Sequence, residues 1–141
     1  MRVVALVVFA GSCLSLTAWA DGPRIRAGQW EFTTTASGRF LPQPKQETET
    51  RCVRDENVDP VQEMTKSSQC TVTKRSTTAT GVTWAMTCQS AAGGPSMQGE
   101  GRITADGSTL DGEMVNHMTM DGTSQELMKI VWKGRRLGDC S

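Results

Sequence analysis

The sequence predicts an all-β fold: a single curved antiparallel meander sheet of about seven strands, a half-barrel or small barrel, with one short helix between the second and third strands. Three observations carry this prediction. Short segments alternate apolar and polar residues, and turns containing Gly, Pro or Asp-Gly separate them. Glycine, serine and threonine are plentiful, whereas long runs of the helix formers Ala, Leu, Glu and Lys are missing.

Each element has its own signal. Residues 28–35, Gly-Gln-Trp-Glu-Phe-Thr-Thr-Thr, put Trp30 and Phe32 on one face of a first strand, because strand side chains alternate. Residues 37–44 hold Gly38, Pro42 and Pro44 and form a loop, and residues 46–53 make a second, threonine-rich strand that ends near Cys52. A helix start follows, with Asp59 as N-cap, Pro60 at the first helical position and Gln62 three residues after the cap. About two turns are expected, to near Lys66. Residues 70–76 and 82–89 flank a short Gly-containing connection and pair as a hairpin, with Val82, Trp84, Met86 and Cys88 on its apolar face. After a break at residues 90–95 come strands at 97–104, 110–120 and 125–133, separated by Asp106-Gly107 and Asp121-Gly122, both strong turn signals. One short helix cannot cover so wide a sheet, so the sheet is expected to curl. Gly99, Gly101 and Gly112 lie inside strand patterns and mark points of bending.

The N-terminus reads as a secretory signal peptide over residues 1–20. Arg2 is the basic start, residues 3–9 are apolar, and Ala18-Trp19-Ala20 is the small-x-small cleavage site. The apolar stretch is too short to span a membrane. Cys13, after Ala10-Gly11-Ser12, faintly resembles a lipidation box, but with Ala where Leu is usual; the ordinary leader is the expectation. Residues 21–141 then form one disulfide-stapled β-domain. Of 15 basic residues only Arg2 falls in the leader, leaving 14 against 15 acids, a near-neutral balance that makes nucleic acid and acidic membranes poor candidate partners.

With these segments placed, the chain resembles the bacterial secreted family catalogued as domain of unknown function 3617. The matching pieces are Gly28-Gln29-Trp30-Glu31, Cys70-Thr71-Val72, Trp84-Ala85-Met86-Thr87-Cys88, Gly99-Glu100-Gly101-Arg102-Ile103 and the tail Gly134-Arg135-Arg136-Leu137-Gly138-Asp139-Cys140. The resemblance implies a Gram-negative envelope protein, exported to the periplasm or beyond, with no assigned activity. Relatives often carry a Met- and Pro-rich stretch after the first strand; here Gly38-Arg39-Phe40-Leu41-Pro42 stands in that place without methionine.

Past the leader four cysteines remain, Cys52, Cys70, Cys88 and Cys140, and no Cys-x-x-Cys occurs, so neither a zinc ribbon nor a thioredoxin motif is present. Structural disulfides are expected. Four cysteines allow three pairings. The working expectation is Cys52 with Cys70, closing the helical insertion, and Cys88 with Cys140, pinning the tail; Cys70 with Cys88 is the alternative if the two face each other across the hairpin.

The methionines raise a copper reading, since thioether sulfur suits Cu(I). Met114, Met118 and Met120 share a strand face, but alternation points His117 to the other, and filling gaps in a core is the commoner use of methionine. No serine sits in a nucleophile elbow, Gly99-Glu100-Gly101 lacks the lysine and helix of a phosphate loop, and Glu100, Asp111 and Glu113 read as exposed carboxylates. An enzyme is therefore not expected, and no cofactor is called for. Trp30, Trp84 and Trp132 with Met86, Met97, Met114 and Met118 make a candidate apolar ligand face. Two functions stay open: a carrier or sensor of a small hydrophobic ligand or lipid, and a structural or interaction domain binding another envelope protein.

Overall fold

The computed structural model describes residues 22–54, 56–67, 69–89 and 94–141. The expected leader with Cys13, and most of the break after residue 89, lie outside them. Among the described residues nine strands and one helix follow in chain order: β1 (Arg24–Ile25), β2 (Gly28–Gly38), β3 (Lys45–Val53), β4 (Glu56–Asn57), α1 (Val61–Ser67), β5 (Cys70–Thr77), β6 (Gly81–Cys88), β7 (Met97–Ala105), β8 (Thr109–Met120) and β9 (Thr123–Gly138).

Seven strands form one antiparallel sheet in the order β3-β2-β9-β8-β7-β6-β5, and β1 pairs with β4 in a small separate ribbon. The all-β class holds, with two corrections. From β5 to β9 the chain is a meander, but β9 then pairs with β2, so the first long strand lies between the second and the last. The two end strands, β3 and β5, do not pair with each other, so the sheet is not closed into a small barrel. In chain order α1 falls between the fourth and fifth strands, because the short β1 and β4, which carry no alternation long enough to read, precede it.

Local chemistry explains the turns and the cap. At the β7–β8 turn the Asp106 carboxylate accepts hydrogen bonds from the Ser108 and Thr109 amides, and Gly107 takes a positive φ of 91°. At the β8–β9 turn Asp121 and Gly122 have φ of 50° and 75°, the left-handed pair that a tight two-residue hairpin needs. At α1 the Val61 amide donates to Asp59 Oδ1 at 3.0 Å, and the Met64 amide to the Pro60 carbonyl at 3.0 Å. The Asp59 carboxylate also pairs with Arg75 of β5, which ties the helix start to the sheet edge.

Two disulfides form, but not in the working pairing; one is the alternative across the hairpin. Cys70 bonds Cys88 and Cys52 bonds Cys140. Strand order is the reason. The β5–β6 register sets Cys70 directly opposite Cys88. Gln29 of β2 pairs with Cys52 on one side and Gly138 on the other, which brings the tail alongside the end of β3. Cys52 with Cys70 would have required β3 and β5 to be neighbours, and they lie at opposite ends of the sheet.

The core lies against one face of this sheet. Trp30, Val82, Trp84, Met86, Ile103 and Leu110 are buried there with Ile25 of β1 and Val61 of α1, while Val58 and Met64 pack on the cluster. Helix and ribbon together thus cover part of the apolar face. Gly101 and Gly112 make room for rings: a Cβ on Gly101 would stand 2.2 Å from Trp84 Cζ2, and one on Gly112 3.0 Å from Trp132 Cε3. They are packing positions, and neither has a positive φ.

Candidate functional site

All seven residues of the candidate ligand face share one face of the sheet. Across strands Trp84 pairs with Gly101 and Gly101 with Met114; Met86 pairs with Gly99, Met97 with Met118, and Gly112 with Trp132. Their burial then separates them. Trp30, Trp84 and Met86 are core residues, 0%, 3% and 5% exposed. Met114, Met118 and Trp132 are half-buried, and Met97 is exposed. Three of the seven are thus filled interior, and the other four reach the surface to different degrees.

The space that remains open is a cleft of about 350 Å³ beside Trp132. Phe32, Ile103, Leu110 and Trp132 form its floor, Val58 and Pro60 wall it from the segment entering α1, and Glu49 and Arg51 of β3 stand at its rim. Of the seven expected residues only Trp132 lines it. Its shape follows from packing. The Phe32 ring stacks on buried Trp30, with centroids 5.7 Å apart, and lies over Gly134, where a Cβ would come within 3.0 Å of the ring. The Arg51 guanidinium sits 4.8 Å from the Phe32 centroid, a cation–π contact that keeps a charge next to the apolar floor. Trp30 itself is fixed from below, its indole N–H donating to the Arg26 carbonyl at 2.8 Å. A second, more polar hollow of about 530 Å³ shares Phe32 and Glu49 and continues along β2 and β3 to Glu47.

Sequence signals for this cleft existed in part. Alternation puts Phe32 with Trp30, and Ile103 with Gly101 and Gly99. Val58 and Pro60 had none, because a non-repetitive segment reveals its neighbours only after the chain has folded.

The opposite face is polar and carries the larger depression, about 690 Å³, with Thr83 and Ala85 at its base and Lys74, Glu100, Arg102 and Glu126 around it. Its charges answer one another. Glu113 pairs with Arg102 at 3.1 Å and with Lys129 at 3.3 Å, and the Lys129 hydrogen bond, helped by Arg102, holds its carboxyl below the usual range. On the same face Arg135 donates to Glu31 at 2.8 Å and lowers that carboxyl too. His117 lines this groove, directly across from Glu126, so it points away from Met114 and Met118 as alternation requires. Among the described residues no three His, Cys, Asp or Glu side chains are placed to hold a metal ion. Nor is any helix there long and apolar enough to cross a membrane.

Of these depressions the apolar cleft has the character of a ligand site. Small-molecule sites are mostly apolar hollows of roughly 300–1,000 Å³ with a few polar groups at the edge. The polar groove offers solvated charges, with its Glu113 already paired with Arg102 and Lys129. No curated protein and no solved structure matches this chain. A family does: the profile described as "Protein of unknown function (DUF3617)" matches residues 25–140, from the buried Ile25 of the small ribbon to the disulfide-bonded Cys140 of the tail, and the chain belongs to that family.

Proposed function

We propose that this is an exported bacterial envelope protein whose β-domain binds a small apolar ligand and does not transform it. The leader-like N-terminus supports export, and two disulfides suit an oxidising compartment. The cleft carries the binding reading: apolar side chains of four sheet strands and of the segment before α1 enclose a volume fit for one small molecule, with an Arg51–Glu49 pair at the mouth. Apolar side chains make up its floor, and the carboxylate at its rim, Glu49, pairs with Arg51, which is why binding rather than catalysis is proposed.

Tryptophan emission tests this. The delipidated mature protein is titrated with decanoic acid as an apolar probe. A saturable change is expected, lost in Trp132→Phe and weakened roughly tenfold or more in Val58→Glu, which puts a charge into the cleft wall. No change in the wild type, or an undiminished one in Val58→Glu, removes the cleft as the site.

A further inference from the structure

The β2–β3 turn presents a large apolar side chain to water for no reason internal to the fold. Phe40 is 80% exposed, the highest value among the exposed large hydrophobic residues. The turn that carries it is held in place. The Leu41 amide donates to the Gly38 carbonyl at 3.1 Å, the Arg39 amide to the Leu127 carbonyl of β9 at 3.0 Å, and the Arg39 guanidinium to the Gln125 side-chain oxygen. Because that partner is neutral, the Arg39 charge is not cancelled by it. Residues 38–45 read Gly-Arg-Phe-Leu-Pro-Gln-Pro-Lys, with two cations and no acid, so a chain that is neutral as a whole has a locally cationic tip. Pro42 and Pro44 lack amide hydrogens, which reduces the polar groups that must lose water when the tip enters an apolar phase. The neighbouring β8–β9 turn adds Met120, 39% exposed, at the same end of the sheet.

We propose that the β2–β3 turn is a docking surface for an anionic lipid bilayer, with Phe40 inserted at the level of the acyl chains and Arg39 and Lys45 facing lipid phosphates. A single exposed aromatic ring finds a partner in any fluid interface, whereas a protein would have to offer a matching hollow. The charge pattern favours an anionic one, since cations bracketing an apolar residue match phosphates above acyl chains. Each such cation contributes a modest, salt-sensitive attraction. Asp121 of the β8–β9 turn and Glu126, beside the Gln125 that Arg39 contacts, oppose it. The inference stands on the turn alone and does not depend on the cleft.

Co-sedimentation of the mature, disulfide-bonded protein with vesicles of phosphatidylglycerol and phosphatidylethanolamine tests it, with phosphatidylcholine vesicles as control. Binding to the anionic vesicles is expected to fall with added salt, to weaken about fivefold in Lys45→Gln and roughly tenfold or more in Phe40→Ser, and to strengthen in Asp121→Asn. Phe40 is exposed, so Phe40→Ser should keep the wild-type melting temperature. Val58→Glu, which impairs the cleft, should bind vesicles as the wild type does. Absence of binding, equal binding to phosphatidylcholine, or equal binding by Phe40→Ser overturns the proposal. Loss of binding in Val58→Glu would also overturn it, by moving lipid contact to the cleft.

Discussion

Gly101 shows how a single position is decided by what lies across the sheet from it. The Trp84 ring occupies the place of a Gly101 side chain, so Gly101→Ala forces the buried indole to move. Overpacking of this kind costs about 1–3 kcal/mol. Urea denaturation should show that loss, and the Trp84 emission should shift; a variant as stable as the wild type would mean the ring is not held there. The sequence marks Gly99, Gly101 and Gly112 as special, since a glycine inside a strand signals bending or close approach. Choosing between the two needs the cross-strand partner, and one chain read by itself does not display it. Asp106 is the opposite case, legible at once from Asp-Gly. Hydrogen bonds from the Ser108 amide, the Thr109 amide and the Ser108 hydroxyl depress its carboxyl from 3.8 to about 2. Since the folded value lies below the ordinary one, its contribution to stability is full above pH 3.8 and is lost as pH falls through about 2. Asp106→Ala should therefore melt lower than the wild type at neutral pH, and the gap in melting temperature should close in acid between those limits. A gap independent of pH would contradict the assignment.

At the scale of elements the connections were legible where they are local. Asp59-Pro60 starts α1, Asp106-Gly107 and Asp121-Gly122 make turns, and the β5–β6 hairpin has the alternation its register requires. The placement of β9 was not legible. Its last residues, Gly134 to Gly138, look like a tail because two glycines and two arginines break the apolar pattern, yet they pair with β2. Gly134 lies in the strand because the Phe32 ring covers it. That single pairing reorders the sheet and with it the disulfides. Peptide mapping without reduction should recover Cys52 linked to Cys140 and Cys70 linked to Cys88; Cys52 linked to Cys70 would refute the strand order itself. In the chain-entropy view the longer loop constrains the unfolded chain more. The two bridges, at separations of 88 and 18 residues, then contribute about 4.5 and about 3 kcal/mol. Replacing both cysteines of the Cys52–Cys140 pair by alanine should accordingly destabilise more than the same change at Cys70–Cys88.

The whole molecule has two unlike faces, and its proposed function follows from the difference. One face is a ladder of paired charges in water. The other is a core of Trp, Met and branched side chains, partly roofed by α1 and the β1–β4 ribbon, and it stays open where Phe32 and Trp132 meet Val58 and Pro60. Composition and alternation foretold such an apolar face and offered it as a candidate ligand face, of which Trp30 and Trp84 are consumed in packing. What is left over is a smaller site, displaced toward β2, β3 and β9. Native mass spectrometry of the protein purified from cells under non-denaturing conditions tests the central claim most directly. The account predicts a protein carrying both disulfides and a non-covalent small apolar adduct, removed by delipidation and absent in Val58→Glu. Wild-type protein that never carries or takes up an apolar adduct, or an adduct that Val58→Glu retains equally, would contradict it.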